Sequence, residues 1–311
     1  MTRNVLVVGT ASYLLASVFW GMNIPFTAIL FRTFDPFFMA AVRVAIAVTL
    51  LAAIVLVALG PRALAVPMRA LHFALMTLAM AGFFVFYNLA LRYTNAITAA
   101  ALMAGAPVYA AVTMRIVAGA RLERGFKVAA TLTLVGAGVA IAGRALETGE
   151  RLRFEGGEPL IVLSLVCWAL YSLGAQRWFD PSVPQLRRTY VSTLGTTAWL
   201  ALCWWVLRSA DMIGPPNLAP DAQAIALLLA TAVFSTALGI VAWNIGVHRM
   251  GLMAGSLWQN TVPVFAVLIA VAMDIMPTAS QLVGGAIVIA GVLYMQWLRM
   301  RWPLGPERQR R

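Results

Sequence analysis

Nine polar or aromatic side chains sit in stretches that are otherwise almost wholly apolar: Asn23, Tyr87, Asn88, Tyr109, Tyr171, Trp243, Asn244, Gln259 and Asn260. In hydrocarbon such groups are costly unless they find partners or face a water-filled path. Amide and indole N–H groups donate hydrogen bonds, and aromatic faces attract cations. The chemistry is therefore that of holding a small molecule. An isolated Asn serves interhelical bonding as readily as ligand contact. Asn88 and Asn244, which recur at matching places, read as scaffold; Tyr87 and Trp243, directly before them, suit a cavity wall. The candidate binding set is Asn23, Tyr87, Tyr171, Trp243, Trp258, Gln259 and Asn260.

Bond-breaking chemistry lacks its usual parts. Every Asp and Glu falls in a loop or at the end of an apolar stretch, and so do His72 and His248. Without a buried base to activate a Ser or Cys, an intramembrane enzyme is disfavoured. Cys167 and Cys203 have neither metal-ligand spacing nor a disulfide framework and read as packing residues. No metal or cofactor is expected. The same distribution predicts facilitative or exchange transport, or proton coupling through a peripheral group, because proton-coupled carriers place an ionisable group within the membrane.

Pro25, Pro107 and Pro263 lie inside apolar stretches, where a proline removes a helix hydrogen bond and permits a bend. They are static kinks, or else hinges or sites of an exposed carbonyl, with the repetition of Pro107 and Pro263 favouring hinges, and Gly21 with Pro25 is expected to loosen the helix around Asn23. Arg43 and Arg188 each follow an Asp-Pro by two helical turns. They read first as local partners of Asp35 and Asp180 or as snorkelling side chains, and second as attractors of a substrate carboxylate.

The elements that must position these residues follow from composition. Of the 311 residues, 62% are hydrophobic and 11% charged, with a mean hydropathy of +0.86, against about 25% charged in soluble domains. Stretches long enough to span a bilayer occur near 10–31, 37–59, 70–91, 96–118, 126–143, 159–178, 186–207, 222–247, 251–273 and 281–299. Spans three with four and eight with nine are expected to form hairpins, and the glycine-bearing spans five and ten to serve as scaffold or dimer contact. The first stretch is too long for a signal peptide and reads as a span.

The sequence also repeats. Phe34-Asp35-Pro36 precedes Arg43 as Phe179-Asp180-Pro181 precedes Arg188, and Asn88 is as far from Pro107 as Asn244 is from Pro263. With five spans per copy, the second copy enters the membrane from the opposite side, an arrangement of transporters that bind substrate where the halves meet. The division is 1–143, an external linker 144–158, 159–300, and a basic tail 301–311. The net charge of +12 is distributed as a topology signal, not a nucleic-acid surface. With the N-terminus inside, 15 basic residues face the cytoplasm and six face outside, which sets both termini inside.

Trp20-Gly21-Met22-Asn23 in span one, Arg43 in span two, Pro107 in span four and the segment from Trp243-Asn244 to Pro263 resemble the drug/metabolite transporter superfamily, of the EamA-like ten-helix kind. Within it the chain is similar to bacterial exporters of aromatic and other amino acids. The resemblance implies an all-α fold of two inverted five-helix repeats around a central cavity. It also implies alternating-access export of amino acids across the inner membrane, by a monomer or weak homodimer whose partners are substrate and lipid. A multidrug or other metabolite efflux carrier is the alternative. Amides and indole would meet a carboxylate and aromatic faces an ammonium, in a cavity tolerant of varied side chains, since one methylene discriminates by only about 1–3 kcal/mol.

Overall fold

The computed structural model describes residues 3–94, 96–149, 156–272 and 276–302. Among them the helices are α1 (Arg3–Leu30), α2 (Pro36–Leu59), α3 (Ala70–Ala90), α4 (Ala96–Ala104), α5 (Ala106–Ala118), α6 (Phe126–Thr148) and α7 (Glu158–Arg177), followed by α8 (Gln185–Ser209), α9 (Ala222–Ala230), a π-helical segment (Thr231–Leu238), α10 (Gly239–Met250), α11 (Leu252–Gln259), α12 (Val262–Val271) and α13 (Ala279–Arg301). No strand occurs among the described residues. Nine stretches are long and apolar enough to cross a membrane, and the bent pair α4–α5 supplies a tenth. The ten expected spans therefore stand, and the chain is a multi-pass membrane protein. Most of the linker (150–155), most of the tail (303–311) and Asp274 lie outside the described residues.

Local chemistry sets the helix starts. The Asp35 carboxylate accepts hydrogen bonds from Phe37 N at 2.9 Å and Phe38 N at 3.2 Å, with Pro36 in the first turn. This satisfies donors that an apolar helix cannot satisfy itself. At α13 the side chains of Thr278 and Gln281 cap reciprocally, the capping-box arrangement.

Packing pairs one half with the other. α1 lies on α10, α2 on α8, α3 on α7, α5 on α11 and α6 on α13. Exchanging each span for its counterpart turns the α1–α10 pair into the α7–α3 pair and maps the other span pairs onto themselves. That is two-fold pseudo-symmetry, and five spans per half put its axis in the membrane plane. The halves are therefore interleaved. α3 packs chiefly on α7 and α8, so the expected hairpin of spans three and four does not form. The reason is small residues on the crossing faces: a Cβ on Gly195 would come within 2.5 Å of the Thr77 side chain, and one on Gly82 within 3.0 Å of Cys167 Sγ. Span eight does stay beside span nine through α10 and α11.

The glycines of spans five and ten meet each other within the chain. A Cβ on Gly136 would stand 2.6 Å from the Gly284 carbonyl oxygen, and one on Gly291 would stand 2.9 Å from Leu132 Cβ. Close approach of this kind is how helices associate in lipid. These faces are scaffold.

Candidate functional site

The two repeat-related helix breaks touch. The first span of the pair bends by 49° between α4 and α5, where Gly105 and Pro107 interrupt the ladder and Val108 N turns to Gly105 O at 2.9 Å. Its counterpart breaks at Asn260 and Thr261 before Pro263. Both prolines fall in the first turn of the second segment, where a missing N–H costs nothing. Asn260 Nδ2 donates to the Ala104 carbonyl oxygen at 3.0 Å, and Ala104 and Asn260 are themselves equivalent positions in the repeat. The carbonyls near the breaks are thus engaged by protein: Trp258 O accepts from Ser17 Oγ at 3.2 Å and Thr261 Oγ1 at 2.7 Å. Asn260, expected among substrate contacts, holds the two breaks together with its amide N–H. Pro25 leaves α1 continuous, and Gly21 does not loosen it: a Cβ there would stand 2.6 Å from Phe265 Cβ of α12.

Below the breaks an aromatic cluster fills the space between halves. Trp20, Trp168 and Trp243 lie with ring centroids 5.4–5.7 Å apart, Tyr13 is 5.5 Å from Trp243, and Tyr171 is 5.1 Å from Trp168. Trp243 donates to Ser172 Oγ at 3.0 Å, Trp20 to Ser235 O at 3.1 Å and Tyr13 to Gly251 O at 2.7 Å. Asn244 Nδ2 donates to Tyr171 Oη at 2.8 Å and Thr189 Oγ1 at 2.9 Å, while Asn88 Nδ2 donates to Pro36 O at 3.1 Å. Both asparagines bond protein groups, as their repetition suggested. Trp243 and Tyr171 are fully buried and form a plug between the halves; lining an open cavity would require this cluster to part. The indoles of Trp168 and Trp258 keep buried N–H groups without partners. Gln259 is half-buried and its side chain makes no hydrogen bond among the described residues.

The equivalent residues Arg43 and Arg188, which the inverted repeat places toward opposite ends of the bundle, have unequal surroundings. Arg188, 1% exposed, donates to the carbonyl oxygens of Val183 at 2.9 Å, Asp180 at 2.9 Å, Ala175 at 3.2 Å and Gln176 at 3.5 Å. It fastens the α7–α8 turn through backbone, not through the Asp180 carboxylate. That carboxylate accepts from Ser182 Oγ at 2.6 Å and Ser182 N at 2.9 Å, which holds its carboxyl below the ordinary range. Arg43, 7% exposed, reaches only Asn23 Oδ1 at 3.1 Å and Thr27 Oγ1 at 3.5 Å through Nη1. Its Nε is buried without a partner. Asp35 caps α2 and pairs with Arg92 at 3.3 Å instead.

Arg43 therefore neither pairs with Asp35 nor snorkels; it lies about 10 Å along α2 at 1.5 Å per residue. Its guanidinium lies over the Phe84 ring at 5.8 Å. Tyr87, stacked parallel to Phe83 at 6.1 Å, is within electrostatic range of it. Asn23, Tyr87 and Arg43 thus converge. A buried cation with open donors and, among the described residues, no carboxylate counter-ion is an anion-binding arrangement.

Two features had little signal in the sequence. The π-helical turn at Thr231–Leu238 packs on α1 and α2, lends Ser235 O to Trp20, and is the kind of ladder defect found at functional sites. Trp168 becomes notable only once its indole is seen unpaired. At the arginine-rich end, Arg299 grips Glu123 at 2.5–3.0 Å and donates to Met250 O at 2.9 Å. Among the described residues no group of His, Cys, Asp and Glu is arranged to hold a metal.

Comparison with known proteins bears on the whole chain. The model of the EamA-like transporter family matches twice, over residues 8–142 and 156–297. The uncharacterized transporter YyaM of Bacillus subtilis (strain 168) is 26% identical over 212 residues, covering 68% of either chain. The uncharacterized transporter YrdR of the same organism is 24% identical over 306 residues, 94% of this chain and 92% of that one. One solved crystal structure superposes over 98% of this chain and all of the other with a TM-score of 0.78 at 20% identity, a likeness of fold. Two family matches, one per five-span half, on an interleaved bundle with paired helix breaks place the chain in the EamA-like transporter family.

Proposed function

We propose that this transporter carries amino acids, aromatic and others, out of the cytoplasm across the bacterial inner membrane by alternating access, with Arg43 receiving the substrate carboxylate. The observation that carries the reading is the buried Arg43 guanidinium, which has an unpartnered Nε and no counter-ion among the described residues. Asn23 orients it and Tyr87 lies beside it, so an anionic group entering here would gain charge-assisted hydrogen bonds. The aromatic cluster around Trp168 offers faces for an ammonium or an apolar side chain. Efflux of hydrophobic cations is the competing reading, and Arg43 disfavours it by like-charge repulsion at the mouth of the site.

The clustering of arginines at one end supports cytoplasmic termini. With the plug closed and Arg299 holding Glu123 at that end, the arrangement suits a state sealed toward the cytoplasm. Described carboxylates lie at helix ends, which supports facilitative or exchange transport. Export then follows from high cytoplasmic substrate concentration. The test is uptake of a panel of labelled aromatic and aliphatic amino acids into liposomes containing the purified protein. Saturable flux supports the reading; absence of flux for all of them, from folded protein, favours cations or another metabolite class.

A further inference from the structure

The bend between α4 and α5 has a second effect. α4 packs on α6 and α7, but beyond Gly105 the chain turns away from α6 and α5 packs on α7 and α11. Between α5 and α6 this leaves a cavity of about 760 Å³ open to the outside of the bundle, within the range of about 300–1,000 Å³ for small-molecule sites. Its walls are apolar, with Val112, Ile116 and Leu134 among them, and three cations, Arg115, Arg121 and Lys127, stand at its edge. Among the described residues no carboxylate lines it. The neighbouring Glu123 is held by Arg299, and Arg124 lies over the Trp302 ring at 5.0 Å. Arg121 and Lys127 make no hydrogen bond or ion pair among the described residues, and Arg115 reaches only Gly119 O at 3.4 Å.

In a multi-pass membrane protein the walls of this groove lie in hydrocarbon and the cations at the headgroup level. A soluble anion would leave the walls empty, and an apolar molecule would leave the charges unmatched. We propose that the groove binds an anionic glycerophospholipid, its phosphate among Arg115, Arg121 and Lys127 and an acyl chain along Val112 and Ile116. Basic groups at the membrane surface attract such lipids. Occupancy would brace α5 against α6 where the bend leaves them apart. The inference does not depend on what is transported.

The test uses the full-length protein in neutral detergent, with thermal unfolding and lipid affinity measured for phosphatidylglycerol, phosphatidylcholine and glycerol phosphate. Phosphatidylglycerol alone is expected to raise the unfolding midpoint. Arg115→Gln/Arg121→Gln/Lys127→Gln is expected to weaken its affinity about 100-fold, from three lost basic contacts, with the lipid-free midpoint unchanged. Val112→Trp, which fills the groove without touching the charges, is expected to weaken it as well. Equal stabilisation by phosphatidylcholine, an equal shift from glycerol phosphate, or undiminished phosphatidylglycerol affinity in the triple variant overturns the proposal. Should the triple variant not fold, undiminished affinity in Val112→Trp overturns it alone.

Discussion

The repeat supplies an internal control, because Arg43 and Arg188 hold equivalent sequence positions and differ in what surrounds them. Substituting each by Gln separates binding from stability. Arg188→Gln removes donors to three carbonyls within 3.2 Å and leaves buried acceptors unpaired. Hydrogen bonds from charged donors contribute about 1.5–3 kcal/mol each in general, and interhelical bonds in membranes average about 0.6 kcal/mol. A net loss of about 3 kcal/mol is a reasonable middle. Arg43→Gln removes one bond of 3.1 Å and one of 3.5 Å, and it also removes a desolvated cation without a counter-charge, so the net change is expected within about 1 kcal/mol. For transport the order reverses. Losing a charge-assisted contact to a substrate carboxylate, at about 1.5–3 kcal/mol, weakens apparent affinity roughly 10- to 150-fold. Thermal unfolding in detergent and concentration-dependent uptake into liposomes read the two quantities separately. If Arg43→Gln unfolds as early as Arg188→Gln while its uptake curve is unchanged, Arg43 is structural and the reasoning is refuted.

Other expectations follow from the same geometry. Asn260→Ala removes the bond that ties the two breaks, at a cost of about 1 kcal/mol, and should lower the unfolding midpoint modestly; an unchanged midpoint would mean the breaks are held by packing alone. Trp243→Ala opens a void in the aromatic plug and should cost about 3–5 kcal/mol, read as a large drop in the same midpoint. Pro107→Ala with Pro263→Ala should restore helix ladders and slow transport; full-rate transport by the double variant would show that bending there is not part of the cycle. Uptake should be flat between about pH 5.5 and 8, where His and coupled carboxylates titrate, and a strong dependence abolished by His72 or His248 substitution would contradict this.

Much of the architecture was legible because a bilayer imposes length and apolarity on each span, and because repeated landmarks such as Asn88 to Pro107 and Asn244 to Pro263 carry register. Pro107 and Pro263 marked the breaks, although Pro25 broke nothing: α1 runs on through it, packed closely on α12 at Gly21. What the sequence hid is which polar group is satisfied. Arg43 and Arg188 look alike in the chain, each eight residues after an aspartate, yet Arg188 is saturated by carbonyls of the α7 C-terminus and the α7–α8 turn, whereas Arg43 reaches one amide and one hydroxyl of α1. Trp243 reads as cavity wall because it is large and polar-tipped, but Ser172 supplies its partner within the same half, as Asn244 does for Tyr171. The groove beside α5 follows from a bend angle, which no residue spacing records.

The central claim is that a carboxylate is recognised at Arg43. The most direct measurement is counterflow in liposomes with an aromatic amino acid and its decarboxylated amine, each offered to the unaltered protein and to Arg43→Gln. The account predicts that the unaltered protein exchanges the amino acid and not the amine, and that Arg43→Gln loses this preference by losing the amino acid. Equal exchange of the amine by the unaltered protein would contradict it.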